Sequence, residues 1–209
     1  MARAALSRRH WLGLAASVAL AWGALHLAFR QPFPSDQTPE GAYLRIAQAV
    51  AKDEPKALFA YLEDEAQWAA FTIRDMRRGA RDRVLASYPE GQRAEVLAQH
   101  AKVAAAADGS DAFAVLYAQR GWARRLRKDL SGVARVETDG ERASVVTVHG
   151  TRWPFRRRKN GIWGLTVFSA ELLAESEKAT RDRDVVNAAA DDYDRARAPE
   201  RHAAPTSSR

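Results

Sequence analysis

The chain has 209 residues, of which 46% are hydrophobic and none is cysteine, and carries a formal charge of +7. That length holds one domain with a full core, and the absence of cysteine excludes disulfides, thiolate nucleophiles, Cys-ligated zinc and the acylated cysteine of a bacterial lipoprotein. Arg3, Arg8, Arg9 and Arg30 stand in residues 1–30 without an acid, so the remainder sets 29 bases against 26 acids, an excess too small to point to nucleic acid.

Residues 1–10 read as a short basic cytoplasmic end. Residues 11–29, WLGLAASVALAWGALHLAF, are apolar on every face and free of Asp, Glu, Lys and Arg. A helix of that length reaches about 28 Å, enough to span a bilayer as an anchor, and the arginines before it place the N-terminus inside and the rest across the membrane. Ala19-Leu20-Ala21 offers the alternative of a cleaved signal peptide, and Ser7-Arg8-Arg9-His10-Trp11-Leu12 resembles a twin-arginine export signal with Trp11 and Gly13 off its pattern. Residues 30–37 form a linker in which Pro32 and Pro34 forbid helix.

Thr38-Pro39-Glu40 is a helix start, followed by a buried stripe of Tyr43, Ile46, Ala47 and Val50. Asp53-Glu54-Pro55 restarts the chain into a short helix with Leu58, Phe59 and Leu62 inward. A longer helix over about Glu65 to Tyr88 turns Ile73, Met76, Ala80 and Val84 to the core, with Arg74, Arg77, Arg78, Arg81 and Arg83 crowding its remaining surface. An Ala-rich helix over Gln92 to Ala106 carries His100 on a polar face. Ser110 or Asp111 is expected to cap the next helix, which has the stripe Phe113, Leu116, Tyr117, and Trp122, Leu126 and Leu130 mark a last short helix before the strands.

Val133 to Phe168 is rich in Val, Thr and Trp and punctuated by Asp139-Gly140, His149-Gly150 and Asn160-Gly161, the signature of an antiparallel meander. Helices segregated around such a sheet predict an α+β domain. Residues 169–198 predict a final helix capped by Ser169 and ended by Pro199, with residues 199–209 as a tail. Its polar middle, Glu175 to Asp184, predicts that the helix leaves the domain there. The stripe Val186, Ala189, Ala190 and Tyr193 would then serve a protein partner or a second copy, unless the helix folds back on its own domain.

The pieces Thr38-Pro39-Glu40, Asp53-Glu54-Pro55, Asp139-Gly140-Glu141-Arg142-Ala143-Ser144-Val145 and Gly161-Ile162-Trp163-Gly164-Leu165 resemble the nuclear transport factor 2-like, or cystatin-like, superfamily. The likeness covers residues 38–168 and is to exported members from bacteria with high-GC genomes. It implies a curved antiparallel sheet wrapped on helices as a cone, with an apolar pocket that members use for catalysis, ligand binding or packing. The extra helices between Trp68 and Leu130 and the long C-terminal helix depart from the minimal pattern.

Trp153 and Phe155 share one sheet face by alternation, with Trp163 able to meet them from the next strand. With Tyr61 and Tyr117 they form either a ligand-stacking wall or plain core. Arg156, Arg157, Arg158 and Lys159 form a basic hairpin tip, either for anionic headgroups and cell-wall polymers or as a solvated edge. His100 and His149 read as surface or capping groups, and no phosphate loop, metal motif or nucleophile elbow is present. These observations point to a non-catalytic envelope protein without cofactor, held in the inner membrane by residues 11–29 or released after cleavage, that binds an apolar ligand or a protein on the periplasmic side. A scaffold subunit of an envelope assembly is the alternative, by analogy with one-span subunits of type IV secretion systems that carry a domain of the same superfamily. An enzyme working in the cone is a third reading.

Overall fold

The computed structural model describes residues 33–202, with side chains to Ala198. Thr38 is extended and accepts the Gly41 N–H on Oγ1 at 3.1 Å, so α1 (Pro39–Ala51) starts at its sequence cap. It buries Tyr43, Ile46, Ala49 and Val50, while Ala47 is half-buried at the stripe's margin. The helix closes by paired bonds from Asp53 to Val50 and from Glu54 to Ala49, with Asp53 at φ 58°. The restart, α2 (Pro55–Phe59), buries Leu58 and Phe59.

After α2 the chain makes a single parallel bridge between Leu62 and Leu165. Leu165 donates to Tyr61 at 2.7 Å and receives from Glu63 at 3.2 Å, which fixes the start of α3 (Asp64–Ser87) against the sheet. Gly164 makes this approach feasible: a Cβ there would stand 2.6 Å from the Glu63 Cα. Then come α4 (Glu90–Ala104), α5 (Gly109–Gln119) and α6 (Trp122–Asp129). The cap of α5 is Asp108, which accepts the Asp111 N–H at 2.9 Å, and Ser110 donates its hydroxyl to the same carboxylate rather than capping itself.

The meander forms as its turn glycines require, with Gly140 at φ 56° and Gly161 at φ 84°. Strands β1 (Val133–Asp139), β2 (Arg142–Thr147), β3 (Arg152–Arg157) and β4 (Trp163–Leu165) make one antiparallel sheet in that order. Register sets Ala143 opposite Phe155, Val145 opposite Trp153, and Phe155 opposite Leu165. These side chains therefore share the inner face, packed on the helices, while Arg142, Ser144, Arg152, Pro154 and Arg156 share the outer one. The protein is α+β, with helices packed against one face of a four-stranded antiparallel sheet and a long C-terminal helix.

That helix, α7 (Ser169–His202), has 34 residues, about 51 Å of rise, and continues past Pro199, where the sequence predicted its end. Its first intrahelical bond runs from Leu172 to the Phe168 carbonyl, so the cap is Phe168, and the Ser169 hydroxyl turns instead to Glu63. Nor does α7 leave the domain. It runs alongside α3 in the same direction, and Val186 and Ala190 bury against Ala80, Val84 and Tyr88, with Ala189 and Tyr193 at the edge of the cluster. The polar middle of α7 fails to break this packing because α3 supplies a partner for it, Arg77 pairing with Glu175 and Asp182, and beyond it Arg83 pairs with Asp191 and Asp194. Arg77 is thus buried at 7% exposure, not on the solvent face that its arginine-rich surroundings predicted.

Candidate functional site

The inner sheet face gathers Trp153, Phe155 and Trp163 as alternation and register require, all at 5% exposure or less. Trp153 meets Tyr43 edge-on at 5.4 Å, and the Trp163 indole N–H donates to the Gln37 carbonyl at 3.1 Å. Tyr117 is placed elsewhere, in an aromatic cluster where Phe113 lies 5.7–5.8 Å from Phe59, Tyr117, Trp122 and Phe168. Tyr61 is half-buried and donates to Asp36 at 3.3 Å. Burial raises the hydroxyl pKa of both tyrosines. Every one of these rings packs in or against the single main core.

The four basic residues after Phe155 divide into two pairs. Arg158 donates to Asp64 at 2.6 Å, to the Ala60 carbonyl at 2.9 Å and to Gln67 at 3.2 Å, and Arg156 pairs with Glu65 at 3.2 Å. Asp64 and Glu65 occupy the first turn of α3, where carboxylates are already favoured by the helix dipole. Arg157 and Lys159 form no ion pair among the described residues and remain exposed or at the tip.

The outer sheet face holds a groove of about 540 Å³, lined among others by Glu63, Glu137, Arg142, Ser144, Arg152 and Arg156. Arg135 first, and then Arg152, hold the Glu137 carboxyl below its ordinary range. Arg142 stands directly opposite Arg156 in register and forms no ion pair among the described residues. Like charges facing each other across strands are destabilising; Glu65 offsets Arg156, and Arg142 is left to favour an acidic group in the groove. Glu63, 6% exposed, forms one wall and accepts from Ser169.

A second polar cluster lies between α3, α4 and α7. Arg77 donates to Asp182 at 2.6 Å and to Glu175 at 3.0 Å, and its guanidinium lies 3.1 Å from Nδ1 of His100. His100 is 2% exposed, which corrects its assignment to a polar surface: burial and the Arg77 charge lower its pKa. His149, by contrast, is exposed in its turn, with its backbone N–H on Ser131 Oγ at 3.2 Å.

Sequence reasoning missed Glu63, the outer-face groove and the Arg77–His100 cluster. The groove had a signal in the polar alternates of β2 and β3, whereas the cluster depends on which helix lies beside which. No family model, curated protein or solved structure matches the chain. Among the described residues no helix is long and apolar enough to cross a membrane, and residues 11–29 lie outside them, as does the cleavage alternative at residues 19–21.

Proposed function

We propose that this chain is a non-catalytic binding module of the bacterial envelope, anchored by residues 11–29 or released after cleavage, that receives a protein partner on the outer face of its sheet. The observation that carries this reading is the groove of about 540 Å³ on that face, with Arg142 unpaired in it, while the aromatic inner face is taken up by core packing. Packing of Trp153, Phe155 and Trp163 against helices favours the protein partner over an apolar ligand. Membership of the nuclear transport factor 2-like superfamily, with its curved cone, is part of the proposal. Its support is the order of helices followed by an antiparallel meander and the Leu62–Leu165 bridge that ties the helical half to the last strand.

A scaffold role or homodimer through α7 would have to use Leu173 or Val185, which are exposed on different sides of the helix, since the Val186–Ala190 stripe is buried. Arg157 and Lys159 are the cations left for an anionic surface. Catalysis has the least support, because His100 and His149 both lie outside the groove lining.

The anchor is tested by fractionation: a C-terminal tag is expected in carbonate-resistant membranes and accessible from the periplasmic side. The docking face is tested by placing a photo-crosslinking residue at Ser144 in the groove or at Gly91 on α4. A discrete heavier adduct from position 144 alone supports the reading. Equal labelling from both positions, or none from either, overturns it.

A further inference from the structure

We infer that the cleft between α4, α5 and α7 is a binding site for a small organic anion carrying phosphate or carboxylate groups. The cleft has a volume of about 330 Å³, and Arg77, Lys102, Lys178, Gln99, Gln119 and Glu175 line it. Three cations face one carboxylate there. Glu175 is moreover held on both oxygens, by Arg77 at 3.0 Å and by Arg120 at 2.6 Å, so its charge is largely neutralised within the protein. Lys102 and Lys178 are exposed and form no ion pair among the described residues, although α7 carries acids on both sides of Lys178. Two unpaired ammonium groups from different helices converging on one concavity leave a local positive field that an anion satisfies.

Arg77 contributes the fixed part of the site. The residue is 7% exposed and its guanidinium is oriented by Asp182, Glu175 and His100, yet those contacts engage three of its N–H groups. A guanidinium has five, so the Nε–H and one Nη2 hydrogen are not engaged by these contacts. The Gln99 and Gln119 side chains add neutral amide donors. The negative ends of α4 and α5 lie near Lys102 and Gln119 and oppose an anion, but each is worth at most about half a charge. The two-charge excess of the lining outweighs them. The volume exceeds that of one phosphate and suits a phosphorylated or polycarboxylate metabolite-sized molecule.

This site is separate from the sheet groove and stands or falls independently of it. The test uses the full chain in detergent, with inorganic phosphate and citrate as probes at constant ionic strength, followed by calorimetry and by thermal unfolding. Saturable binding of either probe is expected, with the stronger response assigning phosphate-type or carboxylate-type chemistry. The Lys102→Gln/Lys178→Gln double variant changes only exposed side chains, and circular dichroism checks its fold. Its affinity should fall about tenfold or more. Absence of saturable binding in the folded wild type, or equal affinity in the double variant, overturns the inference.

Discussion

Arg77 and His100 come within 3.1 Å of each other inside the helical layer, the guanidinium donating to Nδ1 of the ring. Arginine has no acceptor, so this contact requires an unprotonated Nδ1. Burial first, and then the Arg77 charge, lower the ring's pKa, against a smaller upward pull from Asp182. An unfolded histidine titrates near about 6.5, so just below that pH the unfolded chain holds more protons than the folded one. The stabilisation from neutral His100 is therefore complete above about pH 6.5 and is lost as the pH falls towards the folded-state pKa. Urea midpoints measured across that range should drop in the wild type and drop less in His100→Gln. Equal slopes would assign the acid loss to other groups.

Replacing Arg77 by Met leaves Glu175 and Asp182, two turns apart on one face of α7, without their shared cation. Removing one partner of a buried pair costs about 3–5 kcal/mol. The lower end is expected here, because Arg120 still holds Glu175 and the Asp182 side chain is 36% exposed. Chemical denaturation gives the value, and a loss under about 1 kcal/mol would show that solvent already screens the cluster.

Two glycines should respond in opposite directions. Gly164→Ala sets a Cβ 2.6 Å from Glu63 Cα and 2.8 Å from its nitrogen, both backbone atoms, so the β4 junction with residues 61–63 must open. A loss of about 3 kcal/mol or more is expected, since overpacking against backbone cannot relax by a rotamer change. Gly91→Ala meets nothing within 4 Å in the first turn of α4 and should gain up to about 0.5–1 kcal/mol. Thermal midpoints of the two variants moving together would contradict the packing described for β4.

Trp163→Ala should cost about 3–5 kcal/mol, the usual effect of emptying a large aromatic site in a core. The Phe variants separate packing from hydrogen bonding. The Trp163 indole N–H is bonded to Gln37, whereas the buried Trp153 N–H has no partner. Trp163→Phe should therefore be more destabilising than Trp153→Phe by about 1 kcal/mol, the net value of one such bond. The reverse order in urea melts would argue against this assignment.

Truncation after Thr180 removes Val186, Ala189, Ala190 and Tyr193 and uncovers Ala80, Val84 and Tyr88. Each fully buried Val or larger side chain contributes about 1.5–3 kcal/mol. The truncated chain should lose most of its cooperative unfolding transition by circular dichroism. Retention of the full transition would return the distal helix to a partner-docking role.

The elements and the alternation were legible from local chain chemistry. Thr38 and Pro39 could start only a helix there, the glycines at 140 and 161 could only turn the chain, and the spacing of Trp153 and Phe155 could only put both rings on one face. These are local constraints, set by backbone conformation and by periods of two or 3.6 residues, and they survived into the structure. The stripes of α1, α2 and α5 were legible for the same reason.

Pairing at long range came only with the packing of the helices and the sheet. Arg77 and His100 look like solvent-facing residues in any local window, and only the laying of α7 along α3, with α4 packed on α3, buries them and supplies Glu175 and Asp182 as partners. The same docking turned the distal stripe of α7 inward, against the expectation drawn from its polar middle. Arg156 and Arg158 were legible as a basic run, but their engagement by Glu65 and Asp64 needed the first turn of α3 beside the hairpin. A charge is buried or exposed according to what stands opposite it, and the partners here lie more than ninety positions away along the chain.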